Sequence, residues 1–392
     1  MSESFVSGAD LHDLSLWKKQ KARRGLISFD LEVTARCNNN CRHCYINLPA
    51  EDRVAKEKEL SLEEIKEIAD EAVSLGALWC LITGGEPLLR EDFFDIYLCL
   101  KKKGLLLSLF TNGTLVTEEH VRLFKRYPPR DIEVSVYGVT RTTYERVTRK
   151  PGSFSAFRRG LELLLGSGLR VRLKAMGLRS NVHEHQEIAR FCRERTKDYF
   201  RFDPFLHLRY DGDTARNREI ESERLSPEEI VALERSDPER FQALQGKCDK
   251  SVVPECLSAN GELFLCGAGK ASCNISYDGM FRLCSSLWHP NCVYDLRHGS
   301  LTYAWRHFVP RVREIRSKRE EYLRSCRVCD LIDLCMWCPA HAYLETGQLD
   351  EPVHYYCLVA HARAQALGAA GRWREPARYC GELSLRNEKS MV

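Results

Sequence analysis

The chain is predicted to fold as an α/β protein on a parallel sheet, and three observations carry that expectation. Short apolar runs alternate with longer amphipathic ones six times between Ile27 and Phe205, the β–α series that lays crossover helices over a parallel sheet. Polar or glycine-rich segments follow those runs, at the strand ends where such folds collect ligands. The chain has 392 residues, long for one core, and twelve of its eighteen cysteines lie at or beyond Cys248, so a second, cysteine-rich unit is expected.

The elements follow in order. Ser28–Thr34 is the first strand, and Ser61-Leu-Glu-Glu64 opens a helix with a capping box. Leu62, Ile65, Ala69, Ala72 and Leu75 then recur at helical spacing until Gly76. Leu78–Thr83, Leu105–Phe110, Ile132–Val136, Leu169–Ala175 and Tyr199–Phe205 are the further strands. Helices Phe93–Lys103, Thr117–Arg126, Phe154–Leu165 and His183–Arg195 alternate with them. The pattern alone fits either a doubly wound open sheet or a partial barrel. Residues 206–250 form a bridge, with Ser226-Pro-Glu-Glu starting a helix that Asp237-Pro238 interrupts. Arg209, Asp211 and Asp213 read as a solvated turn there, or as substrate contacts at a strand end.

Composition excludes several classes. With 59 Lys and Arg against 55 Asp and Glu, the net charge is +4, too little for nucleic-acid binding by bulk charge. The basic clusters Lys18–Arg24 and Lys101–Lys103 fit solvated helix faces. No apolar run approaches a membrane span, and Met1–Trp17 carries no apolar signal segment. A cytoplasmic protein without membrane partner is expected, and in that reducing compartment eighteen cysteines point to metal rather than disulfides. Cys80, Cys99 and Cys192 sit in strand or helix patterns and read as small core residues. No phosphate-binding loop is present, since Gly267-Ala-Gly-Lys270 lacks the upstream glycine.

Directly after the first strand stands Cys37-Asn-Asn-Asn-Cys41-Arg-His-Cys44-Tyr45. Three thiolates from one loop can hold three corners of an iron–sulfur cube and leave its fourth iron without a protein ligand. A zinc knuckle is the alternative, although structural zinc wants four closing ligands. The CxxxCxxC run resembles the signature of the radical S-adenosylmethionine (SAM) enzymes. The resemblance implies that the open iron chelates SAM and that one electron cleaves it to a 5′-deoxyadenosyl radical, which abstracts hydrogen. Cys37, Cys41 and Cys44 would carry the catalytic cluster, with His43 and Tyr45 beside the cofactor. The residue before the third cysteine is usually aromatic in that family; here it is His43.

Gly84-Gly85-Glu86-Pro87 matches the family's GGEP segment, whose backbone meets the SAM amino group. Thr111-Asn112-Gly113 resembles its TNG segment, and Ser135-Val-Tyr-Gly138 stands where relatives place a ribose-binding Ser. Arg149-Lys-Pro-Gly-Ser-Phe154 also looks familial. Lys174 or Arg172 would face the SAM carboxylate, and strand alternation puts both on one face. On residue chemistry alone, Ser135 could equally be a strand-end hydrogen bonder and Lys174 a solvated cap.

Farther on, Cys266, Cys273 and Cys284 surround Asp278-Gly279, a hairpin turn that would fold Cys284 beside the other two. Cys326-x2-Cys329-x5-Cys335-x2-Cys338 and Cys357 follow. Eight cysteines would suit two zinc sites. The block also resembles the SPASM extension of some radical SAM enzymes, except that two residues rather than three precede Cys338. That resemblance implies a partial (β/α)6 TIM-like barrel followed by a small cysteine-rich α+β SPASM domain. The expected divisions are an extension (1–25), the barrel (26–205), the bridge (206–250), SPASM (251–375) and a tail (376–392). Cofactors would be SAM and three [4Fe–4S] clusters, one binding SAM and two auxiliary. Cys266, Cys273, Cys284 and Cys338 would hold the first auxiliary cluster; Cys326, Cys329, Cys335 and Cys357 the second. Cys248, Cys256, Cys292 and Cys380 are unassigned.

The family resemblance implies a peptide- or protein-modifying oxidoreductase (crosslinking, epimerisation or side-chain oxidation), served by a one-electron donor such as flavodoxin or ferredoxin. The same chemistry on a sugar, nucleoside or tetrapyrrole is the alternative, and a non-catalytic zinc or iron protein a distant one. Sulfatase-maturing members carry an Asp after the cysteine equivalent to Cys284. Ser285 stands there, which argues against formylglycine formation. The roughly 25 residues before the first strand are too few for a leader-binding domain, so a separate carrier or leader-independent binding is expected.

Overall fold

The computed structural model describes residues 24–198, 200–250 and 261–368, the side chains of 247–250 excepted. Six parallel strands make the barrel wall: β1 (Ser28–Thr34), β2 (Trp79–Gly84), β3 (Leu106–Thr111), β4 (Asp131–Val136), β5 (Val171–Met176) and β6 (Arg201–Asp203). Helices α1 (Leu62–Ser74), α2 (Phe93–Lys102), α3 (Glu118–Arg126), α4 (Arg141–Thr148), α5 (Ser153–Leu165) and α6 (His185–Arg195) alternate with them. All were expected except α4, whose Thr142, Thr143, Val147 and Thr148 are poor helix formers. Thr140 caps it and its buried face carries Tyr144 and Val147. The Ser61 cap is reciprocal, its hydroxyl accepting from Glu64 N at 3.2 Å while Ser61 N donates to the Glu64 carboxylate at 2.7 Å.

Alternation along β1 sorts its residues. Phe29, Leu31 and Val33 are buried with Ile65, Ala69 and Ala72 of α1 in one apolar layer. Glu32 turns to the opposite side, where it is buried among polar groups. The sheet does not stop at β1. Strand β7 (Ser272–Ile275) pairs parallel with it, Phe29 opposite Cys273, and β8 (Met280–Arg282) and β9 (Tyr294–Asp295) add antiparallel. Gly279 turns the β7–β8 hairpin at φ 87°, a left-handed value that glycine adopts without strain. One nine-stranded sheet therefore runs β9-β8-β7-β1-β2-β3-β4-β5-β6. The expected bridge at 206–250 holds α7 (Thr214–Ser222), α8 (Pro227–Arg235) and α9 (Pro238–Lys250), while the cysteine-rich half joins the barrel through the sheet itself. Helices α10 (Pro339–Thr346) and α11 (His354–Ala366) close that half. Glu234 of α8 pairs with Arg363 of α11 at 2.5 Å, both nearly inaccessible.

Arg282 on β8 is fully buried and joins hairpin to barrel. Its guanidinium meets the Glu32 carboxylate at 3.0 Å, donates to the Ser285 carbonyl at 2.9 Å and also bonds the Asn274 side chain. It lies 3.5 Å from the centre of the Trp288 ring, which stacks on Tyr210 at 3.7 Å. Removing one partner of such a pair strands the other charge. Arg282→Leu is expected to lower the unfolding free energy by about 3–5 kcal/mol, measured by chemical denaturation. Adding Glu32→Leu should recover most of the loss.

Candidate active site

The three-cysteine loop leaves β1 at its C-terminal end, as expected, and is packed against the end of α4. Asn40 N donates to Thr148 O at 2.9 Å and Arg42 N to Val147 O at 3.2 Å. Asn39 N donates to the Cys37 sulfur at 3.4 Å. Burial pushes the Cys37 thiol up to about 12, with Glu86 and then Cys44 adding to the rise. Burial raises Cys41 and Cys44 too, and at Cys41 the other two thiols add to it. Three mutually repelling sulfurs in one loop, Cys41 buried and Cys37 and Cys44 half-buried, fit a polynuclear cation that takes them as thiolates. Among the described residues, no three His, Cys, Asp or Glu side chains close around a point suited to a single metal ion.

The glycines after β2 meet the chain rather than open space. A Cβ on Gly84 would stand 2.1 Å from Thr34 O, and one on Gly85 2.2 Å from Arg36 O. That approach lets Gly85 N donate to Thr34 O at 2.7 Å and Glu86 N to Arg36 O at 2.9 Å. The Glu86 side chain is buried and accepts from Leu88 N (3.1 Å), Thr111 Oγ1 (2.7 Å) and Asn112 N (2.7 Å). Pro87 opens the short turn that holds Leu88 in place. Asn112 continues the chain of contacts, its amide reaching Asn38 Oδ1 at 2.9 Å and the Cys37 sulfur at 3.7 Å. The ends of β2 and β3 are thus tied to each other and to the cysteine loop.

Ser135 on β4 is half-buried and in register with Lys174 of β5. Tyr137 follows, within electrostatic range of Cys41 and Cys44 and with its ring 5.1 Å from the buried His43 ring. Burial, then the Lys174 charge, depress His43 to about 4, so it stands neutral near pH 7. Lys174 meets the buried Glu133 at 3.0 Å and lies 4.0 Å from the Phe110 ring centre. Arg172 is only 4.0 Å from the same carboxylate. Lys174, farther toward the strand end, is the cation nearer His43. Tyr45 remains 37% exposed, within electrostatic range of Glu32 and Arg282.

In the cysteine-rich half, Cys284 lies in electrostatic range of Cys338 and Cys266, but Cys273 does not join them. Its register with Phe29 places it on the apolar face of the sheet, fully buried near Cys80 and Asp30. Cys284 stands in the bend after β8; Cys273 lies in β7 beside Asp30, apart from the set it was expected to complete. Burial raises the Cys292 thiol, and nearby Cys284 adds to the rise. Cys335 faces Cys329, and its sulfur accepts from Trp337 N at 3.4 Å, as that of Cys338 does from His341 N. Cys326 ends the segment on the Tyr322 side, and Cys357 lies on α11. Cys256 and Cys380 lie outside the described residues, as does the side chain of Cys248.

Arg209 was misjudged as a solvated turn residue. It is 4% exposed and donates to Asn47 O at 3.1 Å from beneath the cysteine loop. Asp213 is the N-cap of α7, accepting from Ala215 N at 3.0 Å. A cation set among Phe205, Leu206 and Leu208 was the available signal of burial.

Glu86 supplies a pH test. Burial raises it from 4.5 to about 7, against three hydrogen bonds that lower it. A carboxyl whose folded pKa is raised favours folding fully below 4.5 and loses that contribution as pH rises through 7. The unfolding free energy of unsubstituted protein minus that of Glu86→Gln should therefore fall between pH 5 and 8, by roughly 1–3 kcal/mol.

Residues 31–192 match the Radical SAM superfamily. Over 349 residues the chain is 25% identical to an AdoMet-dependent heme synthase of Nitratidesulfovibrio vulgaris, covering 83% of this chain and 91% of that one. It is equally 25% identical, over 351 residues, to the mycofactocin maturase MftC of Mycolicibacterium smegmatis (85% and 84%). In fold it is similar to Streptococcus suis SuiB bound to the precursor peptide SuiA, with a TM-score of 0.62 at 15% identity, covering 89% and 83% of the two chains. The cysteine loop and the three strand ends gathered around it all lie within the segment, residues 31–192, that matches the Radical SAM superfamily.

Proposed function

We propose that the enzyme cleaves SAM reductively at Cys37, Cys41 and Cys44 and abstracts hydrogen from a peptide or protein side chain. The observation that carries this is the convergence of three thiols in one loop with the Gly84–Pro87 and Thr111–Gly113 segments, beside the strand end that carries Ser135. A [4Fe–4S] cluster on those thiols would supply the electron for cleavage. Backbone at Gly84 and Gly85 would receive the SAM amino group, Ser135 the ribose and Lys174 the carboxylate. The neutral His43 with Tyr137 would flank the adenine. Tyr45, half-open above the loop, would cover the cofactor.

Two auxiliary clusters are proposed for the cysteine-rich half, accepting the electron left after hydrogen abstraction. Cys266, Cys284 and Cys338 would hold the first, without Cys273. Cys326, Cys329, Cys335 and Cys357 would hold the second. An external flavodoxin- or ferredoxin-type donor would deliver electrons. The peptide class is supported by the maturase similarity and by the peptide-bound protein of like fold. A tetrapyrrole substrate is the second reading, favoured by the heme synthase similarity over most of both chains. No helix among the described residues is long and apolar enough to cross a membrane.

Mass spectrometry of genome-neighbour peptides, incubated with reduced enzyme and SAM, separates the two. A mass change on a peptide supports the first reading; 5′-deoxyadenosine formed only when a tetrapyrrole is added supports the second. Replacing Cys37, Cys41 and Cys44 by Ala should remove about four irons per chain and abolish 5′-deoxyadenosine formation, while iron in the cysteine-rich half remains. Bound zinc and colourless protein would rule out both readings.

A further inference from the structure

We propose that Arg209 is a positioning residue that holds the cysteine loop and sets the reduction potential of the cluster on it. This rests on Cys37, Cys41 and Cys44 being cluster ligands, as proposed above. Arg209 lies 162 residues from its main contact, and its side chain is 3% exposed. Nη1 donates to Asn47 O at 3.1 Å and approaches Asn47 Oδ1 at 3.4 Å. Its charge reaches Cys44, and among the described groups near that thiol it is the cation that favours the thiolate. Asp211 is its counter-ion, accepting from Nε at 3.1 Å and from Nη2 at 2.5 Å, and remains partly exposed.

Residues on either side of Arg209 in the chain are anchored as well. The His207 ring stacks on His341 of α10 at 4.0 Å, and Tyr210 stacks on Trp288 at 3.7 Å. One short segment thereby fastens the cysteine loop to the cysteine-rich half. Two further arginines reach the same loop from outside. Arg216 donates to Cys41 O at 2.9 Å and Arg149 to Asn40 O at 2.8 Å. Both share one carboxylate, Glu219, at 2.7 Å each. Arg209, with Asp211 to itself, is the most deeply buried of the three.

Reduction adds one negative charge to the cluster. A buried cation close to one sulfur stabilises that reduced form, because the low dielectric leaves the attraction little screened. Removing the cation should make reduction harder, and removing its counter-ion should make it easier. The test is an EPR-monitored redox titration with chemical mediators on anaerobically reconstituted full-length protein. The SAM-site signal is identified by its loss in the Cys37, Cys41 and Cys44 triple Ala variant.

For Arg209→Gln, the ratio of reduced to oxidised cluster at the wild-type midpoint is expected to fall about tenfold, a shift of about 59 mV to more negative potential. Asp211→Asn should shift it the other way. If Arg209→Gln retains no iron at this site, Arg209→Lys, which keeps the charge, should restore both iron and potential. An unchanged potential in iron-replete Arg209→Gln overturns the proposal. So does a shift of the same sign in Asp211→Asn, or failure of Arg209→Lys to restore a lost cluster. Failure of the underlying reading looks different: the unsubstituted protein would take up no iron on these cysteines.

Discussion

The site depends on one buried carboxylate. Glu86 stands at the end of β2 and accepts from the backbone of its own turn and from both the hydroxyl of Thr111 and the backbone of Asn112 at the end of β3. It can do so only because Gly84 and Gly85 let β2 lie against the last residues of β1. Asn112, held by Glu86, in turn reaches Asn38 and Cys37. A segment that family resemblance presents as a cofactor-contacting loop is thus first a brace between three strand ends. A backbone so braced can present carbonyl groups to a ligand's amino group without reorganising.

A second constraint sets what faces the brace. Because β7 pairs with β1, the cysteine-rich half takes its position from the sheet of the barrel, with the Arg282–Glu32 pair locking the hairpin in place. Cys273 is held in the apolar layer on β7, while Cys284 follows β8 within electrostatic range of Cys338 and Cys266. The segment from His207 to Asp211 adds a third connection, from the cysteine loop through Arg209 to His341 and Trp288.

What was legible in the sequence was what local periodicity and short motifs encode. The β–α series, the Ser61 and Ser226 capping boxes and the hairpin at Gly279 all depend on residues within a few positions of each other. The three-cysteine loop and the segments after β2 and β3 were equally readable, because each is contiguous. What escaped was set by distant partners. The burial of Arg209 depends on Asn47, and the place of Lys174 on Glu133 and Phe110. The burial of Cys273 is set by its register with Phe29, which its spacing does not show. Helix α4 was missed because its stability comes from Tyr144 and Val147 packing rather than from propensity.

The central claim is that the Cys37–Cys44 loop presents a cluster with an iron left open for SAM. EPR of the dithionite-reduced, anaerobically reconstituted protein, recorded with and without SAM, tests it most directly. The account predicts that one cluster signal changes in shape and g-values when SAM is added, while the others do not. A spectrum indifferent to SAM, with all clusters reduced, would contradict it.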